Sequence, residues 1–415
     1  MASVDAKQKV KLGVIGLSGR GRGLTGLLVG MDDVEIPAVC DVYEDRLEKG
    51  AERVEQAGRP RPDTYRDYRE LLARDDLEGV VIATDWASHA KIAVAAMKAG
   101  KYAGSEVGGA TSIDECWQLV RTYEETGVPA MMLENCCYGR DEMAILNMVK
   151  KGIFGEVVHC QCGYEHDLRH EVAQGIENRH YRIHHYLNRN GDVYPTHGLG
   201  PMAKCLNINR GNRFLTLSSM ASKARGLEDW ISRNLGPDHP MQGKRFNMGD
   251  IVTTMIKCAH GETILITHDT TLPRPYSRAG RVQGTRGIWM EDNKSIHIEG
   301  RSPEHQWEPF EAYRTEYEHP LWKQYLQQGV RGGHGGMDYL VLRAFVESVM
   351  NRTEPPIDVY DMAAWMAVTA LSEQSVARGG AAVDFPDFTD GKWTNRKPSP
   401  SSIYNLDIVD ESLFS

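Results

Sequence analysis

The sequence feature that most restricts the fold is a short apolar strand that runs directly into a glycine-rich loop. Residues 9–17 (KVKLGVIGL) are apolar and β-branched, which is typical of a buried parallel strand. The loop Gly16-Leu17-Ser18-Gly19-Arg20-Gly21 follows, and a helix is predicted from Leu24 to Val29. This order predicts a phosphate-binding turn, in which N–H groups at the helix start hold the anion.

The loop departs from the common dinucleotide fingerprint at Ser18, where the middle glycine is usual. Serine still permits close approach of a pyrophosphate when its hydroxyl faces the phosphate. A second strand, residues 34–39, ends just before Asp41. An acid at this place accepts hydrogen bonds from the adenosine ribose and repels a 2′-phosphate, so NAD is predicted over NADP. The alternative is that Asp41 only caps the next helix.

The alternation of strands and helices continues through the first third of the chain. Strands are predicted at 79–83, 101–106 and 129–133, and helices at 44–57, 65–73, 89–99 and 112–126. This predicts an α/β Rossmann domain, residues 1–140, with a doubly wound parallel sheet. Ligands bind beyond the carboxyl ends of such strands, so Trp86, His89, Glu106 and Asn135 are expected around the nicotinamide half. For Trp86 and His89 the alternative is ordinary packing at a helix start.

The pattern changes in residues 141–415. Strands are predicted at 156–163, 214–221, 281–287 and 295–299, with a hairpin formed by 251–258 and 263–269. These runs predict an α+β domain built on an open, mainly antiparallel sheet, which would bind the substrate. Two late helices, 337–350 and 359–377, are expected to return to the domain interface. Residues 395–415 are interpreted as a loose polar tail that reaches across a subunit.

The segment from His166 to His197 is unusually rich in His, Arg and Tyr. This composition does not suit a hydrophobic core, and its aromatic content argues against disorder. Long loops inside compact domains are usually functional, so the segment is predicted to form a site.

Composition excludes several classes of function. The net charge of -9 argues against a general nucleic-acid role, and no apolar run approaches the ~20 residues of a membrane span. Residues 1–11 lack the apolar stretch of a secretory signal, so a cytoplasmic location is expected. None of the eight cysteines lies in a CxxC pair, as is typical of thiols in a reducing compartment. Zinc binding by Cys160 and Cys162 is the alternative, but no second pair follows and no metal site is predicted.

Four further motifs carry a family resemblance, namely Asp85-Trp86-Ala87-Ser88-His89, Glu134-Asn135-Cys136-Cys137-Tyr138, Gly163-Tyr164-Glu165-His166-Asp167-Leu168-Arg169 and Tyr194-Pro195-Thr196-His197-Gly198-Leu199-Gly200-Pro201. Over nearly its whole length the chain resembles the glucose–fructose oxidoreductase / inositol dehydrogenase / MocA-type family. Within that family it is most similar to the NAD-dependent glycoside hydrolases of family 109, typified by α-N-acetylgalactosaminidases.

One departure from the broader family bears on the reaction. Its sugar dehydrogenases usually carry Glu-Lys-Pro after the fifth strand, and that lysine assists proton transfer at the oxidised hydroxyl. Here the segment is Ser105-Glu106-Val107-Gly108-Gly109, and valine can neither donate nor accept a proton. The glycosidase branch tolerates this change.

The resemblance implies a redox-assisted elimination. The sugar is oxidised at C3 by bound NAD, the C2 proton is removed, the aglycone leaves from C1, water adds, and the hydride returns to C3. Paired carboxylates flanking the bond are then not required. The resemblance implies His197 and Tyr194 as acid–base groups, with capping of the helix near Gly198 as the alternative.

The remaining positions implied by the resemblance divide between sugar and cofactor. The sugar positions are Tyr164, Arg182, Tyr194 and Tyr276, with His334 as a further residue that could line the site. The cofactor positions are Gly16, Ser18, Arg20, Gly21, Asp41, Trp86, His89, Glu106, Val107 and Asn135.

Two other functions stay open on the sequence alone. An NAD-dependent sugar or polyol dehydrogenase would produce stoichiometric NADH, and Val107 counts against it. A non-catalytic sugar or cofactor sensor would have kept the fold, and the intact pair of Tyr194 and His197 counts against that.

The expected partners are a small glycoside or oligosaccharide and further copies of this chain, joined through the second-domain sheet, with no nucleic acid and no membrane. Neither the sugar nor the anomeric linkage can be read from the sequence.

Overall fold

The computed structural model describes residues 9–399 and 401–414. The first part of the chain alternates strands and helices as predicted. Its elements are β1 (Val10–Ile15), α1 (Gly19–Val29), β2 (Val34–Cys40), α2 (Glu44–Gln56), β3 (Asp63–Tyr65), α3 (Tyr68–Leu72), β4 (Gly79–Ile82), α4 (Trp86–Lys98), β5 (Tyr102–Ser105), α5 (Ile113–Thr126) and β6 (Ala130–Met132).

The six strands form one parallel sheet in the order β3-β2-β1-β4-β5-β6. The order reverses between β1 and β4, so a crevice opens beyond the carboxyl ends of these two strands. β4 is buried along its whole length and β1 nearly so, because helices cover both faces of the sheet. The predicted Rossmann architecture is confirmed.

The second part of the chain builds a larger sheet. Its elements are α6 (Arg140–Lys150), β7 (Val157–Glu165), α7 (Arg169–Ala173), α8 (Arg182–Asn188), α9 (Thr196–Cys205), β8 (Phe214–Ala221), α10 (Gly226–Asn234), β9 (Ile251–Cys258), β10 (Thr263–Asp269), β11 (Arg281–Gly284), β12 (Gly287–Met290), β13 (Ser295–Ile298), β14 (Glu308–Pro309), α11 (Phe310–Glu316), α12 (Pro320–Gln328), α13 (Met337–Asn351), α14 (Val359–Ala377) and β15 (Val383–Asp384). The strand order is β14-β13-β12-β11-β7-β10-β9-β8-β15, and every pair is antiparallel except β7 with β10. The predicted open, mainly antiparallel sheet is confirmed.

Several predicted boundaries were wrong. The helix predicted at 65–73 is a strand followed by a short helix, because Tyr65 pairs with Cys40 in the parallel ladder. The helix predicted from His89 begins at Trp86, which places both residues in its first turns. The strand predicted at 281–287 splits into the hairpin of β11 and β12.

The polar segment from His166 to His197 is not one long loop. It contains α7 and α8, whose inner faces bury Val172, Ile183 and Tyr186. α7 packs against α8 and α10, and α8 contacts β10 through Tyr186, whose ring centre lies 6.3 Å from that of His268. The polar faces of α7 and α8 are left to line a cavity.

The two late helices contact elements of the first part of the chain, and α14 also contacts the larger sheet. α14 packs between α5 and β6 on one side and β8 on the other, and it is buried along most of its 19 residues. α13 packs against α1, β1 and the single 3-10 turn at Asn135–Tyr138. Among the described helices, none is both long and apolar enough to cross a membrane.

The C-terminal tail is not loose in its described part, which corrects that prediction. Leu406 is fully buried, and the Asp407 carboxylate lies 3.0 Å from Lys204 Nζ and 2.7 Å from Arg210 Nε. Asp361 on α14 binds the same two cations from the other side, at 2.7 and 2.8 Å. These buried charges fix the tail to its own chain, while Pro400 and Ser415 lie outside the described residues.

We expect Asp407→Asn to lower the free energy of unfolding by about 3–5 kcal/mol, because a buried ion pair that loses one partner leaves uncompensated charge. Lys204 and Arg210 hold the pKa of the Asp407 carboxyl below its usual range against the opposing effect of burial. This contribution to stability is therefore present above the unfolded pKa of about 4 and is lost as the pH falls through the folded value. Urea unfolding at neutral pH measures the loss.

The matched control is Glu316→Gln, which breaks the exposed pair with Arg301. We expect that change to cost less than about 1 kcal/mol. Equal effects of the two substitutions would contradict the assignment of Asp407 as the anchor of the tail.

Candidate active site

A cavity of about 1360 Å³ lies where the carboxyl ends of the parallel strands face α7, α8 and α9. One end is lined by the glycine-rich loop and by Asp41, and the other by Tyr164, Tyr194 and His197. The two ends form one continuous space. A ligand held by the Rossmann domain can therefore reach the polar segment of the second part of the chain.

The glycine-rich loop leaves room for a phosphate at the start of α1. Gly16 has a φ of 93°, and a Cβ on Gly21 would lie 1.8 Å from the Gly16 carbonyl oxygen, so both positions need glycine. Ser18 precedes α1 without capping it, and the first turn carries no acidic residue. The N–H groups of this turn and the Ser18 hydroxyl are thus available to an anion.

Asp41 lines the cavity at the same end as the glycine-rich loop. Its carboxylate accepts hydrogen bonds from Leu17 N at 2.6 Å and from Tyr43 N at 2.9 Å. Neither donor is inside α2, so the alternative of a simple helix cap is wrong. The carboxylate is held in place beside the cavity, where a ribose binds in this fold.

Arg20 connects the glycine-rich loop to two carboxylates at the middle of the cavity. Its guanidinium donates to Glu106 Oε1 at 2.6 and 2.8 Å and to Asp338 Oδ2 at 2.7 Å. Asn135 Nδ2 donates to the other oxygen of Asp338 at 2.7 Å, and His334 Nδ1 lies 2.8 Å from Oδ2. Sequence reasoning missed Asp338, because its role arises only when α13 returns to the loop.

The mouth of the cavity is crossed by contacts that we call the clasp, formed by Arg179 with Asp45 and Tyr43. Arg179 pairs with the Asp45 carboxylate at 2.7 and 2.9 Å and lies 4.4 Å from the centre of the Tyr43 ring. Arg46 adds weak contacts to the Asn178 and Arg179 carbonyl oxygens at 3.4 Å. The clasp joins the second part of the chain to α2 over the adenosine end.

A buried cation and aromatic rings form the other end. The Arg182 guanidinium lies 4.9 Å from the ring centre of Tyr194, 5.4 Å from that of Trp86 and 5.9 Å from that of Tyr164. Its nearest carboxylate is Glu171 at 3.6 Å. Arginine and tyrosines in one wall offer donors and ring edges to a sugar.

His197 is held by a buried glutamate. Its Nδ1 lies 2.7 Å from Oε1 of Glu134, which is fully buried and also accepts the Cys136 N–H at 3.0 Å. Burial would raise the pKa of the Glu134 carboxyl, but the imidazole outweighs it and the pKa lies below its usual range. A carboxylate only accepts, so Nδ1 carries a proton, and in the neutral ring Nε2 keeps its lone pair.

A second hydrogen-bonded pair lies beside His197. The Tyr164 hydroxyl lies 3.0 Å from His166 Nδ1, and burial together with Arg182 lowers the pKa of His166. The lowered pKa favours the neutral imidazole, whose ring nitrogen can accept a hydrogen bond from the phenol. Burial raises the pKa of Tyr164, and the charge of Arg182 opposes that rise.

Most predicted site residues line the cavity, and three do not. Gly21 is packed beneath the loop, Trp86 lies behind Tyr194 with its ring centre 5.5 Å away, and Tyr276 stands at the rim, half-exposed and 5.0 Å from the His166 ring. Tyr194 and His197 do not cap α9, which begins at Thr196 without a side-chain cap. The residues lining the cavity are Gly16, Ser18, Arg20, Asp41, His89, Glu106, Val107, Asn135, Tyr164, Arg182, Tyr194, His197 and His334.

These features fit a nicotinamide dinucleotide. The uncapped start of α1 suits the pyrophosphate, Asp41 suits the ribose, and Val107 and Asn135 line the space beyond. Two structure comparisons agree. Levoglucosan dehydrogenase in complex with NADH matches over 91% of this chain and all of its own, with a TM-score of 0.69 at 18% identity. An NAD-binding oxidoreductase from Klebsiella pneumoniae matches over 91% of this chain, with a TM-score of 0.71 at 14% identity. At these identities the likeness shows the fold.

Sequence comparisons cover both parts of the chain. Residues 10–134 match the oxidoreductase family model with an NAD-binding Rossmann fold, and residues 138–395 match the model of the glycosyl hydrolase 109 C-terminal domain. A glycosyl hydrolase family 109 protein of Stenotrophomonas maltophilia is 48% identical, over 94% of this chain and 91% of the relative. An alpha-N-acetylgalactosaminidase of Tannerella forsythia is 45% identical, over 94% and 88%.

We expect Arg179→Ala to speed the dissociation of the dinucleotide severalfold, because the clasp closes the adenosine end of the cavity. Arg179 lowers the pKa of Asp45 to about 2, so the pair stays charged across the neutral range. Release of NAD from the purified protein, followed by chromatography after dilution, measures the effect.

Arg301→Ala is the control, since it breaks an exposed pair with Glu316, and neither of these residues lines the cavity. Identical release rates for the wild type and Arg179→Ala would show that the clasp does not retain the cofactor.

Proposed function

This chain belongs to glycosyl hydrolase family 109, and on that premise we propose that it removes N-acetylgalactosamine or a related sugar from glycosides. It is an enzyme, an NAD-dependent glycosidase. The proposed sugar is supported by the name of the Tannerella forsythia relative, an alpha-N-acetylgalactosaminidase.

The observation that carries the proposal is the continuity of the cavity. The loop and Asp41 that suit a dinucleotide share one space with Arg182, Tyr194 and His197. A sugar placed against these side chains would have its ring beside the nicotinamide half. The division at residue 140 into a cofactor and a substrate domain is part of this proposal.

When bound, the dinucleotide supplies reversible hydride acceptance, which turns a sugar hydroxyl into a transient ketone. All proton transfers are then left to side chains. Because Glu134 fixes its tautomer, His197 offers the Nε2 lone pair to the sugar hydroxyl. Tyr194 and Arg182 lie beside it and would donate to the sugar oxygens.

The C2 proton requires a second acceptor, because His197 already holds the first proton. The Tyr164 hydroxyl with His166 behind it is suited to this task, since the neutral imidazole accepts the phenol proton. Val107 lines the cavity where sugar dehydrogenases of the broader family usually carry lysine, and it cannot move a proton. This favours a glycosidase over a dehydrogenase.

We expect the protein to hydrolyse an aryl α-N-acetylgalactosaminide without net accumulation of NADH. Turnover in D₂O should place deuterium at C2 of the released sugar, because the C2 proton leaves and is replaced from solvent. Mass spectrometry of the sugar and absorbance of the bound cofactor measure the two results.

His197→Ala is the matched variant, and we expect it to lose about 10²–10⁴-fold in rate, the usual contribution of an acid–base group, while it keeps its NAD. Hydrolysis without exchange at C2 would contradict the elimination. Stoichiometric NADH with a free sugar would identify a dehydrogenase instead.

The location of the protein is also a proposal. All eight cysteines are buried, unpaired thiols, which supports a reducing compartment and hence the expected cytoplasmic location. Microscopy of a fluorescent fusion and fractionation of the native host would test it. Recovery of the protein outside the cytoplasm would contradict it.

We propose further that copies of this chain associate through the outer face of the larger sheet. That face exposes Met220 and Met255 on the neighbouring strands β8 and β9, with exposed fractions of 66% and 41%. Exposed apolar side chains on neighbouring strands are typical of an interface.

We expect Met255→Lys to shift the protein toward monomer in analytical ultracentrifugation. Leu326→Lys, an equally exposed apolar position on α12, is the control and should leave the oligomer intact. A wild type that sediments as a monomer would contradict the proposal.

A further inference from the structure

Three side chains with the chemistry of metal ligands meet at the wall of the active site. Glu134 lies two residues after the end of β6, Cys136 lies two residues further on in the 3-10 turn, and His197 lies in the first turn of α9. One ligand atom from each residue can be chosen so that all three lie within 4.8 Å of one another. Chain segments more than 60 residues apart in sequence are brought together here.

We propose that Glu134, Cys136 and His197 form an inhibitory binding site for a thiophilic divalent cation such as Zn²⁺. A carboxylate oxygen, a thiolate sulfur and an imidazole nitrogen are the three ligand types that zinc prefers. Three protein ligands leave a fourth position open.

The charge at this place favours a cation. The second oxygen of the Glu134 carboxylate, Oε2, is buried and makes no hydrogen bond of good geometry within the described residues, although the Thr196 hydroxyl helps to lower the pKa of this carboxyl. A buried carboxylate oxygen without a partner is costly, and a cation would compensate it. Binding of a metal by Cys136 displaces the thiol proton to solvent.

The two cysteines that the sequence analysis considered as zinc ligands do not offer the same three ligand types. Cys160 and Cys162 are fully buried in β7. Within the described residues, no histidine, aspartate or glutamate joins them in a group of three possible ligands. The spacing of the two cysteines therefore does not indicate the proposed site. Its ligands are the glutamate and cysteine of the Glu-x-Cys sequence before α6, together with a distant histidine.

Occupancy would switch off the histidine through its tautomer. With Glu134 as hydrogen-bond partner, Nδ1 carries the proton and Nε2 is free to accept one. A cation at Nδ1 requires the lone pair there, so the ring proton moves to Nε2. Nε2 is then a donor and can no longer take a proton from a sugar hydroxyl, so the metal inhibits.

The experiment titrates the NAD-loaded protein with Cd²⁺ and with Zn²⁺ in chelator-treated buffer. Cd²⁺ reports directly on the thiolate through its ultraviolet charge-transfer band, and Zn²⁺ is tested for inhibition of glycoside hydrolysis that chelator reverses. Cys136→Ser should weaken binding of both ions at least roughly tenfold, because it removes the soft ligand. Cys137→Ser is the matched control, since that buried thiol is outside the ligand group.

One equivalent of Cd²⁺ with the charge-transfer band, lost in Cys136→Ser and kept in Cys137→Ser, supports the site. Zn²⁺ should also raise the thermal stability of the wild type, and Cys136→Ser should not share this gain. Absence of the band, equal binding by Cys136→Ser, or activation by Zn²⁺ overturns the proposal. Only the inhibition rests on the proposed role of His197, because the band and the thermal shift do not depend on glycosidase activity.

Discussion

The arrangement of the active site depends on the three charges that meet at Arg20. This guanidinium lies between Glu106 at the end of β5 and Asp338 at the start of α13, so it joins three distant segments. Two carboxylates around one arginine leave an excess of negative charge. Asn135 and His334 meet that excess with further hydrogen bonds to Asp338, and the pKa of Asp338 is lowered by His334 and Arg20 although burial opposes this.

Most of the fold could be predicted from residue patterns within short stretches of the sequence. The bounds of the hairpin β9–β10 and of α14 agree with the predictions at 251–258, 263–269 and 359–377, because alternation and helical periodicity are visible in short windows. The cofactor end of the cavity could be predicted for the same reason, since the loop and Asp41 lie within one strand-helix-strand unit. The predictions were wrong where the pairing of strands determines the local structure. Tyr65, for example, lies in a strand because it pairs with Cys40 of the neighbouring strand.

The missed residues share one property, which is that their partners are far away in sequence. Glu134 is 63 residues from His197, and Asp338 is 318 residues from Arg20. No window of sequence shows such a contact. The tail shows the same limit, because its polar composition suggested a loose segment, whereas Asp407 is fixed by two cations from the loop and helix near residue 204.

The Glu134 carboxylate can hold either a proton or a cation at Nδ1 of His197, but not both at once. Glu134 makes the imidazole a better base by holding the proton on Nδ1, and this effect depends on burial, since a solvated carboxylate would hold the ring more weakly. The same burial leaves Oε2 without a partner and brings the Cys136 thiol close. An environment that strengthens a hydrogen bond from imidazole to carboxylate therefore also strengthens attraction of a cation to that carboxylate. The proton and the cation compete for Nδ1, so the carboxylate that would prepare the histidine for its proposed catalytic role would also expose it to the proposed inhibition.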